Sequence, residues 1–440
     1  MKFDKKQMKM RFVYLLFFIL IFPTTKAQEA LSLEGAVNIA LKNNFDILVA
    51  NKNAVISKVN NTPGNAGMLP SVAIIGSGSY SLNNRFQKNT DGSTVTTPSL
   101  SSNSITAGAE LTWTLFNGGK MFVTKSKLSE IQALGEIQFR DQVLQTLFSV
   151  ITAYYDVVRQ KQQFISINEV LNYNKERVVI AQAGFNAGSL IKTDLLQAKI
   201  DLNVTMENLI NQQFAITEAK KTLNQLLGQS SESVFEISDS IPLNYTPDKN
   251  ALKQKLNSSN TSILSFQKQI DIAGLAIKEF KTGYLPNVGF RAGYYFSQAN
   301  NTNNASIAQS RTLGPQVGGS LVIPLFSAGE NNRKVSVAKL QSESAEIELQ
   351  NIKLQVNIIL ENTLTDFDNQ QRLLQIETEN NELARENIKI SLERLRLGQS
   401  TSLEVHIAQE DYVQSNTRLI NFRYNLKLAE TKLKQLVSGL

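Results

Sequence analysis

The sequence predicts a mainly α-helical chain with a transmembrane β-barrel, built from two internal repeats. Three observations support this fold class: an export leader, four strands of alternating polarity, and two very long stretches free of helix breakers. Each repeat has the order helix, β-hairpin, long helix, helix. We expect the strands of several copies to share one barrel, and the long helices to form a coiled-coil periplasmic tunnel.

The N-terminal segment 1–27 is typical of a secretory signal peptide. A basic start precedes an apolar run at 12–22, and a small-residue cleavage site ends at Ala27. Eleven apolar residues are too few to span a bilayer. Without this segment the net charge falls from +7 to about +2, so the basic composition does not indicate nucleic acid binding.

The repeats are visible as paired sequence landmarks. LFNGGK at 115–120 matches LFSAGE at 325–330, and Gly188 matches Gly398, each 210 positions later; Leu-Pro pairs at 69–70 and 285–286 lie 216 apart. These landmarks place the first repeat at 28–228 and the second at 257–440. The segment 229–256 contains two prolines, which predicts an irregular connector between the repeats. We expect it to pack midway along the tunnel and call it the equatorial connector.

The helices follow from the distribution of glycine and proline. We expect tunnel helices in the first repeat at 33–68, 118–184 and 190–228, and in the second at 257–284, 328–396 and 402–437. Residues 331–397 contain neither glycine nor proline, and a continuous helix there would be roughly 100 Å long.

Apolar residues on these helices recur every seven positions, as a coiled-coil seam requires. One such row is Ile376, Leu383, Ile390 and Leu397; another is Leu360, Phe367 and Leu374. Polar residues fill most other positions, which favours the wall of a hollow tube. A solid two-helix rod is the alternative.

Two β-hairpins are predicted at about 70–117 and 286–327. Their strands alternate between apolar residues on one face and small or polar residues on the other, a pattern typical of membrane barrels, although a soluble antiparallel sheet shares it. Polar links at 84–103 and 299–311 indicate extracellular loops. Trp113 lies near a strand end, where an aromatic belt is expected, while Glu110 and Arg291 lie on the polar face, either paired or solvated.

Strand number predicts the assembly. Four strands cannot close a barrel, and eight strands from two copies enclose an interior that side chains fill. Twelve strands from three copies leave room for water and solutes. The geometry therefore favours a homotrimer.

The sequence resembles the TolC-type outer-membrane efflux protein family over nearly all of residues 31–440. The resemblance lies in the opening helix LSLEGAVNIALKNNFDI, the strand-to-helix segments LTWTLFNGGK and LVIPLFSAGE, and the turns AGFNAGSLIKTDLLQAK and LRLGQSTSLEVHIAQ. It implies a trimeric duct in the outer membrane of a Gram-negative bacterium. It also implies docking to a periplasmic adaptor and, through it, to an inner-membrane pump of the RND, ABC or MFS type.

The resemblance also implies roles for individual residues. The periplasmic tip and adaptor contact would lie at Ala187, Gly188, Ser189, Leu397, Gly398 and Gln399. Glu404, with Asp194 as its counterpart, would form an acidic ring that favours cations, unless both are solvated helix charges. Ser400 and Ile407 replace an arginine and an aspartate of some members, so their gating contacts do not carry over.

The sequence gives no indication of an enzyme. His406 is the single histidine and there is no cysteine, which excludes histidine-paired catalysis and multi-histidine or thiolate metal sites. We expect His406 to be an exposed helix residue and expect no cofactor or metal. The alternatives to a channel are a periplasmic coiled-coil adaptor, which four alternating strands fit poorly, and a non-conducting spacer.

Overall fold

The computed structural model describes residues 30–238, 240–301 and 307–440, so the predicted signal peptide lies outside the described residues. The secondary structure follows the predicted order of helices and hairpins, and a short 3₁₀ turn at Thr282–Tyr284 precedes the second hairpin. In chain order the elements are α1 Leu33–Asn43, α2 Phe45–Asn60, β1 Ser71–Lys88, β2 Thr94–Asn117, α3 Lys120–Asn186, α4 Lys192–Leu226, α5 Lys249–Ser259, α6 Thr261–Lys281, β3 Asn287–Asn301, β4 Gln309–Val322, α7 Glu330–Arg396 and α8 Ser402–Leu436.

The elements confirm the two-repeat architecture. Helices α3 and α7 both have 67 residues and begin 210 positions apart. Helices α4 and α8 both have 35 residues and begin at the same spacing. Helix α5 begins 216 positions after α1. No described helix is both long and apolar enough to cross a membrane.

The prediction of one helix at 33–68 was wrong, because the helix is interrupted at Asn44. Asn44 has extended backbone angles, and its side chain donates 2.8 Å to the carbonyl of Leu226. Asparagine side chains compete with helical backbone hydrogen bonds. The second piece, α2, ends at Asn60, shortly before Pro63 and Gly64, which favour a turn.

The prediction of one helix at 257–284 was wrong for the same reason. Asn260 has extended angles, caps α6, and donates 2.9 Å to the carbonyl of Leu436. The connector predicted at 229–256 is also too long at its C-terminal end. Asp248 accepts hydrogen bonds from two backbone amides and begins α5, as an N-cap residue does.

The four strands form one antiparallel sheet in the order β1-β2-β3-β4, with β1 and β4 at its edges. Across all four strands, the register places apolar residues beside apolar ones and small or polar residues beside small or polar ones. One row joins the apolar side chains of Val72, Leu111, Ala292 and Val317, and the next row joins Ala73, Glu110, Gly293 and Gln316. The predicted alternation is therefore continuous over the whole sheet.

The strands of the first hairpin extend into the segment that was predicted to be a polar link. β1 continues to Lys88 and β2 begins at Thr94, so the link has five residues rather than the twenty expected at 84–103. Clean alternation is lost there, but backbone pairing continues. At the opposite end of the sheet, a bulge beside Leu115 interrupts the β2–β3 register, and β4 ends at Val322 rather than near 327.

The chain divides into two compact units. The first contains Met1–Asn44, Leu147–Tyr245 and Asp366–Thr431. In its core, alanines of α1 pack against valines of α3 and leucines of α4, and the connector adds Phe235 and Ile237. The second unit contains Phe45–Thr146, Thr246–Thr365 and Lys432–Leu440, and it includes all four strands.

Candidate functional site

The two helical turns predicted as the tip have the same backbone geometry. Gly188 has φ +74° and Gly398 has φ +70°, a region that favours glycine. The amide of Ser189 donates to the carbonyl of Gly184, and that of Gln399 to the carbonyl of Arg394. These bonds satisfy carbonyls that the ends of α3 and α7 leave free. The glycines therefore make the turns.

The two turns lie beside one groove of the first unit. The groove encloses about 800 Å³. Its lining includes Ala187, Ser189 and Asp194 from the first hairpin, and Gly398 and Ser400 from the second. Neither glycine has an atom within 4 Å of the position a Cβ would take, so the backbone there is open to a partner.

Glu404 is held by its own hairpin. Ser400 Oγ donates 2.6 Å to its carboxylate, and Arg394 Nη1 lies 4.0 Å away. Both members of the ion pair are half exposed. Asp194, the counterpart of Glu404, is half buried in the first turn of α4. The acidic ring remains a prediction.

A buried ionic network lies farther from the turns. Arg177 of α3 is almost fully buried, and its Nη1 lies 2.6 Å from Asp201 Oδ2 of α4. Its Nη2 donates 3.0 Å to Ser402 Oγ of α8. Gln197 donates 2.8 Å to the other oxygen of Asp201. One cation thus joins three helices from both hairpins.

The expectation that His406 is simply an exposed residue was wrong. His406 is half buried, and its Nδ1 lies 3.3 Å from Asp201 Oδ2, without hydrogen-bond geometry. His406 follows Ser402 by four residues, about one helical turn, so both lie on the face of α8 that meets the first hairpin. Sequence inspection missed this contact because Asp201 is 205 positions away.

A second polar cluster joins α3, α7 and α8. Tyr412 Oη donates 2.5 Å to Glu169, and Arg385 Nη2 contacts both side chains. Burial is the main cause that raises the pKa of Tyr412 to about 12, and the hydrogen bond to Glu169 is the second cause. The phenol therefore stays protonated at physiological pH and acts as a fixed donor.

The register of β2 and β3 brings Glu110 and Arg291 close together on the polar face of the sheet. Arg291 Nε lies 3.6 Å from Glu110 Oε1, and Tyr295 Oη donates 2.7 Å to the same carboxylate. The ring of Tyr295 lies across Gly108 and Gly293, where a Cβ would meet it at 2.7 Å. Glu110 is mostly covered whereas Arg291 is exposed. Of the two open possibilities, the structure favours pairing.

Trp113 anchors the helical end of the sheet. Its indole Nε1 donates 2.9 Å to the carbonyl of Met68, and the register places it opposite Phe290. Two aromatic rings thus lie on the apolar face near this end. Their place in an aromatic belt remains a prediction.

Two segments of the chain, residues 36–229 and 252–439, match the sequence model of the outer membrane efflux protein family. The chain belongs to the outer membrane efflux protein family. The two matches correspond to the two repeats, and the predicted resemblance is confirmed.

Among the described residues, no cluster of three histidine, aspartate or glutamate side chains could hold a metal ion.

Relatives of this family member are efflux and secretion proteins. The chain is 23% identical over 411 residues to the outer membrane efflux protein BepC of Brucella suis biovar 1, covering 92% of this chain and 85% of BepC. It is 20% identical over 413 residues to the proteases secretion protein PrtF of Dickeya chrysanthemi, covering 90% and 86%.

Solved structures share the fold of this family member. The outer membrane protein VceC from Vibrio cholerae has a TM-score of 0.75 at 16% identity, covering 92% of this chain and 96% of VceC. The Campylobacter jejuni CmeC outer membrane channel has a TM-score of 0.73 at 18% identity, covering 92% and 85%. These likenesses confirm the fold class.

Proposed function

We propose that the chain is the outer-membrane exit duct of a tripartite efflux or type I secretion system. It acts as a passive homotrimeric conduit with a twelve-stranded barrel and a helical periplasmic tunnel. A periplasmic adaptor docks at the turns around Gly188 and Gly398, and an inner-membrane pump of the RND, ABC or MFS type supplies the energy. The chain itself performs no chemical step.

The sheet carries this proposal. One face exposes apolar side chains such as Val72, Ile74 and Val317, and the opposite face exposes small and polar ones. The edge strands β1 and β4 have no second neighbour in the described sheet. Open edges invite pairing with another chain, and only closure removes them from a bilayer. A ring of copies satisfies both requirements, with lipid outside and water inside.

The test is conductance of the purified mature protein in planar lipid bilayers. We expect a detergent-extracted, heat-modifiable trimer that carries a steady ion current. A spacer or an adaptor gives no current, and a water-soluble monomer that needs no detergent contradicts the proposal.

Adaptor docking is tested at the open glycines. Gly398→Trp fills the groove beside the turn and is expected to abolish adaptor capture and export. Gly92→Trp is the matched control, because Gly92 also has a positive φ and no atom near its Cβ position, but it lies in the β1–β2 link. If Gly398→Trp behaves like Gly92→Trp, adaptor docking is elsewhere.

The acidic ring is tested by ion selectivity. Three Glu404 carboxylates near one constriction favour cations, so Glu404→Gln should lower the cation-to-anion permeability ratio. Glu410→Gln removes an exposed charge two turns farther along α8 and serves as the control. Equal effects of the two variants would assign Glu404 to the solvated charges.

A further inference from the structure

The polar face of the sheet carries one exposed cation. Where all four strands pair, Glu110 and Arg291 are the only charged side chains on this face among the described residues. The other positions on it are uncharged, and most of them are small or hydroxylated. The side chain of Arg291 is 68% exposed, whereas that of Glu110 is 18% exposed. The face therefore presents a guanidinium to solvent and keeps its one carboxylate covered.

Glu110 does not occupy the donors of Arg291. One oxygen of its carboxylate accepts a hydrogen bond of 2.7 Å from Tyr295 Oη, and the other lies 3.6 Å from Arg291 Nε. The second distance is too long for a hydrogen bond. Arg291 makes no hydrogen bond within the described part of the chain. The fork of N–H groups at the end of its side chain is thus open to a ligand.

Arg291 lines a cleft of about 470 Å³ at the helical end of the sheet. Among the described residues, the lining of this cleft contains no carboxylate and no other charged group. Oxyanions are bound by a guanidinium together with neutral hydrogen-bond donors. Strands β1, β2 and β4 supply such donors to the cleft as hydroxyl groups, namely those of Ser71, Thr112, Thr114 and Ser320.

A glycine leaves room for the ligand beside the guanidinium. Gly318 of β4 lies directly opposite Arg291 of β3 in the register, and both line the cleft. A Cβ at Gly318 would meet no atom within 4 Å. The space next to the open side of Arg291 is therefore not filled by the chain itself.

We propose that Arg291 and the surrounding hydroxyl groups form an oxyanion site in the duct, which takes solutes that carry a carboxylate, phosphate or sulfate group. This inference rests on the proposed function, because the polar face lines a water-filled duct only if copies of the sheet close into a barrel. Arginine binds such groups through two parallel N–H donors, whereas lysine offers a point charge. Three copies place three guanidiniums at one level of the barrel, which favours anions there.

The test is the anion-to-cation permeability ratio of the purified protein in planar bilayers, measured in potassium chloride and in potassium sulfate at equal ionic strength. Three unit charges within about one Debye length of the ion path should change the chloride ratio about twofold at 0.1 M ionic strength. Arg291→Gln should therefore lower the ratio about twofold in chloride. The decrease in sulfate should be about fourfold, since a divalent anion has twice the interaction energy.

Arg311→Gln is the matched control for the loss of charge. Arg311 is also exposed, but it lies on the opposite, apolar face of the sheet, where its guanidinium is 5.1 Å from the centre of the Phe296 ring. Arg311→Gln should leave both ratios unchanged.

Two further variants keep the charge and test the site itself. Arg291→Lys loses the fork of donors, so it should retain the chloride ratio and lower the sulfate ratio roughly twofold. Gly318→Val fills the cleft and should give the same pattern. Gly314→Val is its control, because Gly314 lies on the same strand and face with an equally open Cβ position but outside the cleft.

The outcomes separate this inference from the proposed function. If Arg291→Gln conducts like Arg311→Gln in both salts, the site is overturned and the channel stands. If Arg291→Lys and Gly318→Val keep the wild-type sulfate ratio, Arg291 is a point charge and the site is also overturned. If Arg291→Gln lacks the heat-modifiable folded form, Gly318→Val decides, and a sulfate ratio equal to that of Gly314→Val overturns the site. A wild-type protein that carries no current in either salt contradicts the channel itself.

Discussion

Removing the charge of Asp201 should destabilise the helices near the turns far more than removing a surface charge. The Arg177 side chain is 1% exposed, and Asp201, itself 10% exposed, is its only carboxylate partner in the described structure. In Asp201→Asn the guanidinium stays buried without a counter-charge. Breaking a buried pair by removing one partner typically costs about 3–5 kcal/mol.

The size of this effect follows from the burial. The pair of Arg394 with Glu404 has both partners half exposed at 4.0 Å, and exposed pairs contribute less than about 1 kcal/mol. Arg394→Gln is therefore the matched surface control. At about 1.4 kcal/mol per tenfold change, Asp201→Asn should raise the local opening constant by roughly two to three and a half powers of ten, against less than one for the control.

Amide hydrogen exchange of residues 192–205 in detergent micelles measures that opening. The double variant Arg177→Met with Asp201→Leu should recover most of the lost protection, because apolar residues of similar volume replace buried ion pairs at little cost. If Asp201→Asn exchanges no faster than Arg394→Gln, the pair is not the buried contact described. If the double variant is as unprotected as the single one, the uncompensated charge is not the cause.

Three further predictions concern separate parts of the chain. Gly398→Ala places a Cβ in a left-handed conformation and should cost about 1–2 kcal/mol, seen as a lower melting temperature, while Gly398→Asn costs less. Gly108→Ala places a Cβ 2.7 Å from an aromatic ring and from a backbone carbonyl and should abolish the heat-modifiable folded form, whereas Gly76→Ala meets nothing within 4 Å and should fold. The hydrogen bond from Lys220 lowers the pKa of Glu236 from its ordinary 4.5, so this contact stabilises above that pH and is lost as the pH falls through the lowered value. After correction for the intrinsic exchange rate at each pH, the opening constant of the connector near Glu236 should accordingly rise between pH 5 and pH 3 by less than tenfold, since the carboxylate is half exposed. Lys220→Met should reduce this rise, and Lys161, which also donates to Glu236, should account for the remainder.

The long elements were predictable because residues close to their ends in sequence determine where they begin and end. Glycines at 188 and 398 and the absence of proline fix the ends of α3 and α7, and alternation fixes the faces of the strands. The helix breaks at Asn44 and Asn260 were missed because a single asparagine is a weak signal. Its effect depends on a carbonyl at the end of another helix, about 180 positions away.

The buried network was only half predictable. Arg177 and Asp201 lie at nearly equal distances on either side of Gly188, so the register of a helical hairpin could have paired them. The contacts of Ser402 and His406 could not be predicted, since the relative position of two hairpins is set by tertiary packing and has no local sequence signal. The link of Tyr295 to Glu110 required the strand register for the same reason.

The repeats differ in a way that indicates how the assembly forms. The positions that correspond to Arg177 and Asp201 in the second repeat are Asn387 and Asp411, so the buried cation occurs in one hairpin only. The contact between α3 and α8 forms within one chain and is mixed: Asn416 donates to Ser166, while Val170 packs in one apolar cluster with Val405 and Tyr412. The corresponding faces of α4 and α7 carry exposed apolar residues such as Ile210 and Ile376. A partner that covers these two faces would gain free energy from the apolar area removed from water. Since a folded chain that kept the faces of α4 and α7 in water would expose a large apolar patch, we expect assembly to follow folding closely. Variants that place a charge on either face should then lower the yield of folded protein rather than accumulate as a stable monomer.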